Sequence, residues 1–586
     1  MRPTQPSIAE FAKERVPIAY AIRRALKKGY GAADLRADVL AGTVVAIVAL
    51  PLSMALAIAV GAPPQHGLYT AIFAGFVTAL LGGCKFQVTG PTAAFVVILA
   101  PIVNKYGLSG LLTAGFMAGL MLVAMGMFKL GNFIKFIPYP VTTGFTTGIA
   151  TVIATLQVKD AFGITVKVMP DHYLERIVAL WQARATANWR EMIVAAVTLA
   201  LLLGIPRLTK KVPAPLVAMA GVAGVVAIVH HFAPSFAVAT IGTRFHGIPH
   251  EVPSPAFPWS GGLTIGMMRE LMSSAFAIAM LGAIESLLSA IICDGMTRTR
   301  HDPNAELVGL GIGNIIAPFF GGIAATGALA RTATNIRAGA RSPIAAMTHA
   351  LLVLLAMLLL APLVSYVPMA SLAALLLLVA WNMSELRTFV GIVKIAPRSD
   401  VFVLVTCFLL TVFFDMVVAV SAGFMMAAVL FMKRMSEITE STLTVDNTKD
   451  EKPNGLDLPD KTSFYEVNGP LFFGAAQRAM EALHASEADA FRTLIIHLGK
   501  VPVIDATGFA ALENAVASLV RRKKIVILAG PLPQPRSIFD RAKLDTKHAK
   551  MVHVVASLDA AIRLAHEVEP PPPSRRAEPD EAAAAE

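Results

Sequence analysis

The run Gln87-Val88-Thr89-Gly90-Pro91-Thr92-Ala93-Ala94-Phe95-Val96-Val97-Ile98-Leu99 decides the fold. It lies in hydrocarbon-like sequence, yet Thr-Gly-Pro interrupts any helix there, and a short apolar helix follows. A second run, Ala324-Ala325-Thr326-Gly327-Ala328-Leu329-Ala330-Arg331-Thr332-Ala333-Thr334-Asn335, has the same form in the second half of the chain. Two broken apolar segments in matching halves point to a transporter binding site. Backbone that is neither helix nor barrel is tolerated at membrane depth only where protein or a water-filled cavity satisfies it. Each half-helix then aims free N–H groups and a positive dipole end at one central space. Arg331, just inside the second half-helix, makes an anion the expected occupant.

Composition agrees with a membrane protein. The 586 residues are 55% hydrophobic and 15% charged, with a mean hydropathy of +0.65. Soluble domains are rarely so apolar, so a polytopic α-helical membrane protein is expected, with the lipid bilayer as its surroundings. The net charge of +11 reads as Lys and Arg in cytoplasmic loops, not as a nucleic-acid surface. Cys84, Cys293 and Cys407 read as small packing residues, and no metal-ligand spacing occurs. No nucleotide-binding loop or Ser-His-Asp order is present. The expectation is therefore a gradient-driven carrier with no catalytic residues, metal or cofactor. Residues 1–36 are polar and basic, without a cleavable signal.

Fourteen spans are expected between residues 39 and 432. The third (91–104) and tenth (328–340) are too short to cross alone. The basic groups Arg23, Arg24, Lys27, Lys28, Arg207, Lys210, Lys211, Arg298, Arg300, Arg387, Lys394, Lys433 and Arg434 then fall on one side, which is read as cytoplasmic. The halves repeat at a spacing of roughly 230 residues; Ile137-Pro138 and Val367-Pro368 match as well as the Thr-Gly breaks. The expected organisation is an N-terminal segment 1–36, a transport domain 37–434, a linker 435–462, a soluble α/β domain 463–567 and a disordered tail 568–586. In the soluble part, Thr493–Leu498 and Lys524–Ala529 read as strands, and Phe509–Leu519 as a helix.

Several residues could carry chemistry. Pro51-Leu52-Ser53-Met54-Ala55-Leu56-Ala57 is read as an interruption of the first span. Glu285 is the sole ionisable group in a long apolar span, so a functional role is the default, with proton coupling the candidate. Ser289 shares its face one turn on. Arg331 conflicts with the dipole of its own helix unless an anion lies between them; the alternative is a permanent salt bridge, with Glu285 a candidate partner, and the two can alternate during transport. Asp160, Asp294 and Asp415 read as hydrated edge groups; His349 could relay protons, with a satisfied packing histidine the simpler reading. Asp505 and Thr507 open a soluble helix, where capping is the simple reading and added phosphate the regulatory one.

Asp38-Val39-Leu40-Ala41-Gly42, Gly67-Leu68-Tyr69, Thr89-Gly90-Pro91-Thr92-Ala93 and Gly321-Gly322 through Arg331 together resemble the SulP anion transporter family, relatives of prestin and pendrin, over residues 31–567. The soluble part resembles that family's STAS domain, with Thr507 where anti-sigma-factor antagonists carry a phosphorylatable serine. The resemblance implies a seven-plus-seven inverted repeat with a core domain moving past a gate domain. It also implies a homodimer and cytoplasmic STAS domains able to take a protein partner. It places substrate at Ser53 of the first span, Thr92, Ala93, Ala94, Phe95, Glu285, Ala330 and Arg331. Many members carry Gln where this chain has Leu52. Over Ala279–Ser289, Glu306–Arg331 and Ala380–Glu385 the chain is similar to the family's bacterial C4-dicarboxylate carriers. That implies proton-coupled uptake of succinate, fumarate or aspartate. Sulfate or bicarbonate transport, with sodium as a candidate coupling ion, and an anion sensor signalling through the STAS domain are the alternatives.

Overall fold

The computed structural model describes residues 18–27, 29–136, 138–166, 169–170, 172–209, 213–233, 236–259, 262, 264–414, 416–438, 440–445, 458–459, 461–472, 491–544 and 551–568. Lys210, Lys211, Asp415, the first seventeen residues, much of the expected linker and the tail from 569 lie outside them. The chain divides into two compact units, Met1–Ala427 and Ala428–Glu586.

The first unit is helical. After α1 (Tyr20–Lys27) come α2 (Ala32–Val60), α3 (Pro64–Tyr69), a π-helical turn at Thr70–Ala74 and α4 (Gly75–Leu81). Strand β1 (Thr89–Gly90) leads into α5 (Ala93–Met127), which is bent at Gly107, where φ is +67°. A positive φ at that point suits glycine, and it falls between the expected third and fourth spans. The helices α6 (Tyr139–Ala161), α7 (Tyr173–Gln182), α8 (Trp189–Leu208), α9 (Ala214–Phe232), α10 (Ile241–Phe245), α11 (Ile265–Thr297) and α12 (Pro303–Ile316) follow. Strand β2 (Thr326–Gly327) then leads into α13 (Leu329–Arg337), before α14 (Ile344–Val364), α15 (Met369–Met383), α16 (Leu386–Ile395), α17 (Arg398–Phe413) and α18 (Met416–Ile438). Among the described residues, eight helices are long and apolar enough to cross a membrane.

The helices pack in two groups. In one, α5 lies against α11 and α12, and α2 against α3 and α14. In the other, α6 lies against α15 and α17, and α8 against α9 and α15. Small residues permit the close crossings. A methyl group at Gly67 would collide with the Ser53 carbonyl, and one at Gly42 would lie 2.6 Å from the Ala345 carbonyl oxygen. Asp38 fixes the start of α14: its carboxylate accepts hydrogen bonds from Tyr30, Arg341 N–H and both the N–H and hydroxyl of Ser342.

Two expectations are corrected here. Pro51 does not interrupt the first span, because α2 runs through it unbroken. A proline removes one backbone bond, and packed neighbours can carry a membrane helix across that loss. Residues 440–445, read as linker, form a strand.

In the second unit, β3 (Glu440–Val445) pairs antiparallel with β4 (Thr462–Asn468). The strands β4, β5 (Thr493–Lys500), β6 (Ile525–Ala529) and β7 (Val552–Val555) then run parallel in that order. Leu494, Ile496 and Leu498 of β5 bury on one face with Leu512, Val516 and Leu519 of α19 (Ala506–Arg521). Ile495 buries on the other with Ala561 and Ala565 of α21 (Leu558–Val568), after α20 (Pro533–Ala542). This period-two division, with helices on both faces, explains the unbroken apolar runs.

Candidate anion site

The Thr-Gly breaks pair with each other. Thr89 lies opposite Gly327 and Gly90 opposite Thr326, in a two-stranded antiparallel crossing. Ala328 N–H adds a further bond to the Val88 carbonyl. Each strand supplies unsatisfied backbone to the other, which is why extended chain survives here. From this crossing α5 and α13 depart, starting at Thr92 and Ala328, and neither helix start has a side-chain cap. Their first-turn N–H groups therefore remain available to a ligand.

Buried polar side chains hold the crossing. Gln87 Nε2 donates to Ser286 Oγ at 2.6 Å and to Glu306 Oε1 at 2.7 Å. Glu306 Oε2 accepts from the N–H groups of Gly83 and Cys84, each at 2.8 Å. Thr326 donates to the Gly282 carbonyl, and Asn314 exchanges two bonds with the backbone of Ala325. The sequence reading gave Gln87, Ser286, Glu306 and Asn314 no role. Their type, polar in apolar sequence, was the available signal.

The expected site residues fall into distinct positions. Thr92 Oγ1 donates to Glu285 Oε2 at 2.9 Å, joining two groups 193 residues apart. Both are half-buried, while Ala330 is exposed at the start of α13. Ala93, Ala94 and Phe95 are buried in the first turn of α5, with Phe95 beside Gly282. Ser53 is fully buried, and its hydroxyl has no partner. Ser289 is turned elsewhere: it is buried and donates to Thr332 Oγ1 at 3.4 Å, so it braces α13. Asp160 pairs with Arg244, and Asp294 with His301.

Arg331 is 2% exposed. Its Nη2 donates to the Pro91 carbonyl, while Nε and Nη1 have no partner. Arg331 and Glu285, both described, form no ion pair, which corrects the reading of a permanent salt bridge between them. A buried guanidinium with one neutral acceptor is energetically exposed, since each buried ion costs several kcal/mol unless compensated. An anion is the compensation that its own helix start would also favour.

A cavity of about 360 Å³ opens between α5, α6, α11 and α17, with Lys105, Tyr106, Arg176 and Glu270 in its wall. It shares Ile98 and Ala277 with a smaller one that reaches Ile284, next to Glu285 in sequence. The larger lies between the two helix groups.

Residues 35–407 match the sulfate permease family, and residues 456–561 match the STAS domain. The chain belongs to the sulfate permease family. It is an anion transporter of that family, whose related proteins are named as transporters and not as enzymes. It is 41% identical over 523 residues to the "Putative sulfate transporter YvdB" of Bacillus subtilis, covering 89% of this chain and 96% of that one. It is 30% identical over 531 residues to the bicarbonate transporter BicA of a Picosynechococcus strain, covering 87% and 91%. Murine Slc26a9, an anion transporter in the inward-facing state, shares the fold at a TM-score of 0.82 and 18% identity, covering 97% of this chain and 96% of that one. The permease's paired half-helices thus belong to an established fold, and the STAS domain is the parallel-sheet unit described above. In that unit Asp505 Oδ1 accepts from Gly508 N–H at 2.6 Å, capping α19. Thr507, in the first turn, is exposed.

Proposed function

We propose that this permease takes up a small oxyanion, sulfate or bicarbonate, driven by a proton gradient. The anion is held by the first-turn N–H groups of α5 and α13 together with Arg331. The observation that carries this reading is the buried Arg331, two of whose nitrogens lack partners beside two uncapped helix starts. The names of the relatives support the choice of oxyanion. A C4-dicarboxylate is the second reading, supported by the resemblance over Ala279–Ser289, since a carboxylate uses the same donors. The cavity between the helix groups supports an elevator-like motion of the group carrying the crossing. The membrane is a bacterial inner membrane, the N-terminus and STAS domain are cytoplasmic, and the carrier works as a homodimer. Uptake of labelled sulfate, bicarbonate and succinate into proteoliposomes, with pH and sodium gradients set separately, tests the reading. Absence of flux for all three would favour a sensor that signals through the STAS domain.

Glu285 is the proposed proton carrier. A carboxylate in an apolar span is favoured in its protonated form unless paired, and here it accepts one hydroxyl bond. Glu285→Gln is expected to fold and to lose pH-driven accumulation. Accumulation with the wild-type pH dependence would assign the proton to another group.

The transport domain is proposed to span 37–434 and the STAS domain 463–567, with strand β3 (Glu440–Val445) joined to its sheet. All proposed ligands lie in the transport domain, and the two parts have separate buried cores. Truncation after Lys433 is expected to leave a monodisperse membrane part that binds sulfate with altered flux. Phosphate on exposed Thr507 would act on that coupling. Loss of binding along with flux would show that the STAS domain completes the site.

A further inference from the structure

His349 lies on α14 and is fully buried, yet neither ring nitrogen has a hydrogen-bond partner. The expectation of a satisfied packing histidine is therefore corrected. An unpaired buried polar group costs about 1–3 kcal/mol, and native structures keep few of them. Such a group calls for an occupant or a change of state.

Its surroundings identify the change. Ala346, one turn earlier on α14, packs with Val45 and Val88. The backbone of Val88 bonds to Ala328 N–H and to the Thr332 hydroxyl, which flank Arg331 on the first turn of α13. On the opposite side, Gly42 of α2 lets the backbone of His349 approach closely. The charged and titratable groups on the elements packed around α14 are few. Helix α2 carries Asp34, Arg36 and Asp38, and α3 carries His66 and Tyr69; α4 and the π-helical turn carry none. Asp34 is paired with Arg341, Asp38 holds the start of α14, and His66 Nδ1 is bonded to the Gly321 carbonyl. The guanidinium of Arg331, with two unpartnered nitrogens, lies against Gly90 and Pro91, two and three residues beyond Val88.

We infer that His349 is a proton-binding residue whose occupancy is linked, through Arg331, to that of the anion site. With the site empty, a proton on the ring would add a second positive charge to the buried region that already holds the guanidinium, where screening is weak. An anion on Arg331 cancels that repulsion. A proton from water then adds to a ring nitrogen lone pair, and leaves the same way when the anion departs. No other bond forms or breaks. Each ligand favours the other by the same factor, which is the linkage a symporter needs. This rests on the reading of Arg331 as an anion ligand, and it adds a second proton site to Glu285.

Sulfate is the probe, because its charge is constant near neutral pH whereas bicarbonate and succinate titrate. In the purified full-length protein, sulfate affinity is expected to rise about tenfold between about pH 8 and pH 5.5, within the usual range of coupling factors. In Glu285→Gln a pH-dependent component should remain. In His349→Gln the ratio of affinities at the two pH values should fall to less than half the wild-type ratio. An unchanged ratio in His349→Gln would overturn the inference. Titration calorimetry of the wild type in two buffers of different ionisation enthalpy needs no variant. It should show net proton uptake on sulfate binding, and zero uptake would overturn the inference. Binding of sulfate without proton linkage removes this inference alone. Failure of sulfate, bicarbonate and succinate all to bind removes the anion-site reading and this inference with it.

Discussion

Arg331→Ala is expected to weaken sulfate binding about 10- to 100-fold, as for loss of a charge-assisted hydrogen bond of about 1.5–3 kcal/mol. The same change should leave the empty protein as stable as the wild type, or more so. The guanidinium sits 2% exposed with two unpartnered nitrogens, so its removal also removes an uncompensated buried charge. The Pro91 carbonyl loses its donor, a smaller loss. Equilibrium binding of labelled sulfate, with thermal unfolding measured with and without the anion, separates the two effects. The wild type should gain stability on adding sulfate, and the variant should gain much less. A variant that binds as well as wild type but melts far lower would make Arg331 a structural residue.

Glu306→Ala is expected to have the largest effect on stability, about 3–5 kcal/mol, because one substitution strands several buried donors. Its carboxylate accepts from Gly83 N–H, Cys84 N–H and Gln87 Nε2, and it is 1% exposed. Those donors belong to the segment that leads into β1, so the crossing should loosen with them. Glu306→Gln should be much milder. An amide oxygen can still accept from the two backbone N–H groups, and Gln87, whose Oε1 is unpartnered, can turn it toward the new amide. Thermal unfolding of the detergent-purified variants checks the contrast. Equal melting of Glu306→Ala and wild type would mean that the crossing does not depend on this carboxylate.

The helix breaks were legible because Thr-Gly-Pro and Thr-Gly stand in sequence that is otherwise apolar for a full span. Their pairing was not. A two-residue strand has no periodicity, and its partner lies in the other half of the chain. Glu285 and Arg331 stood out as charges at membrane depth, but the Thr92 contact to one and the Pro91 contact to the other depend on how α5 meets α11 and α13. Ser289 shares a helical face with Glu285, yet it turned out to support Thr332; a face of a buried helix has several neighbours, and spacing does not choose among them. Pro51 misled because proline is disruptive in water and tolerated in a packed membrane helix. Gln87 and Glu306 were visible as polar residues, but their partnership is tertiary. In the soluble unit, the apolar strands were plain, whereas β3 is a polar edge strand and reads as linker.

In the proposed site, one anion lies between the starts of α5 and α13 against Arg331. Anomalous diffraction from crystals of the permease soaked in selenate, an isostere of sulfate, at a concentration that inhibits sulfate uptake, tests it directly. A selenium peak is expected where selenate oxygens reach Arg331 and the first-turn N–H groups at residues 93–95 and 329–331. A peak elsewhere in the membrane unit, with the space at the crossing empty, would contradict it.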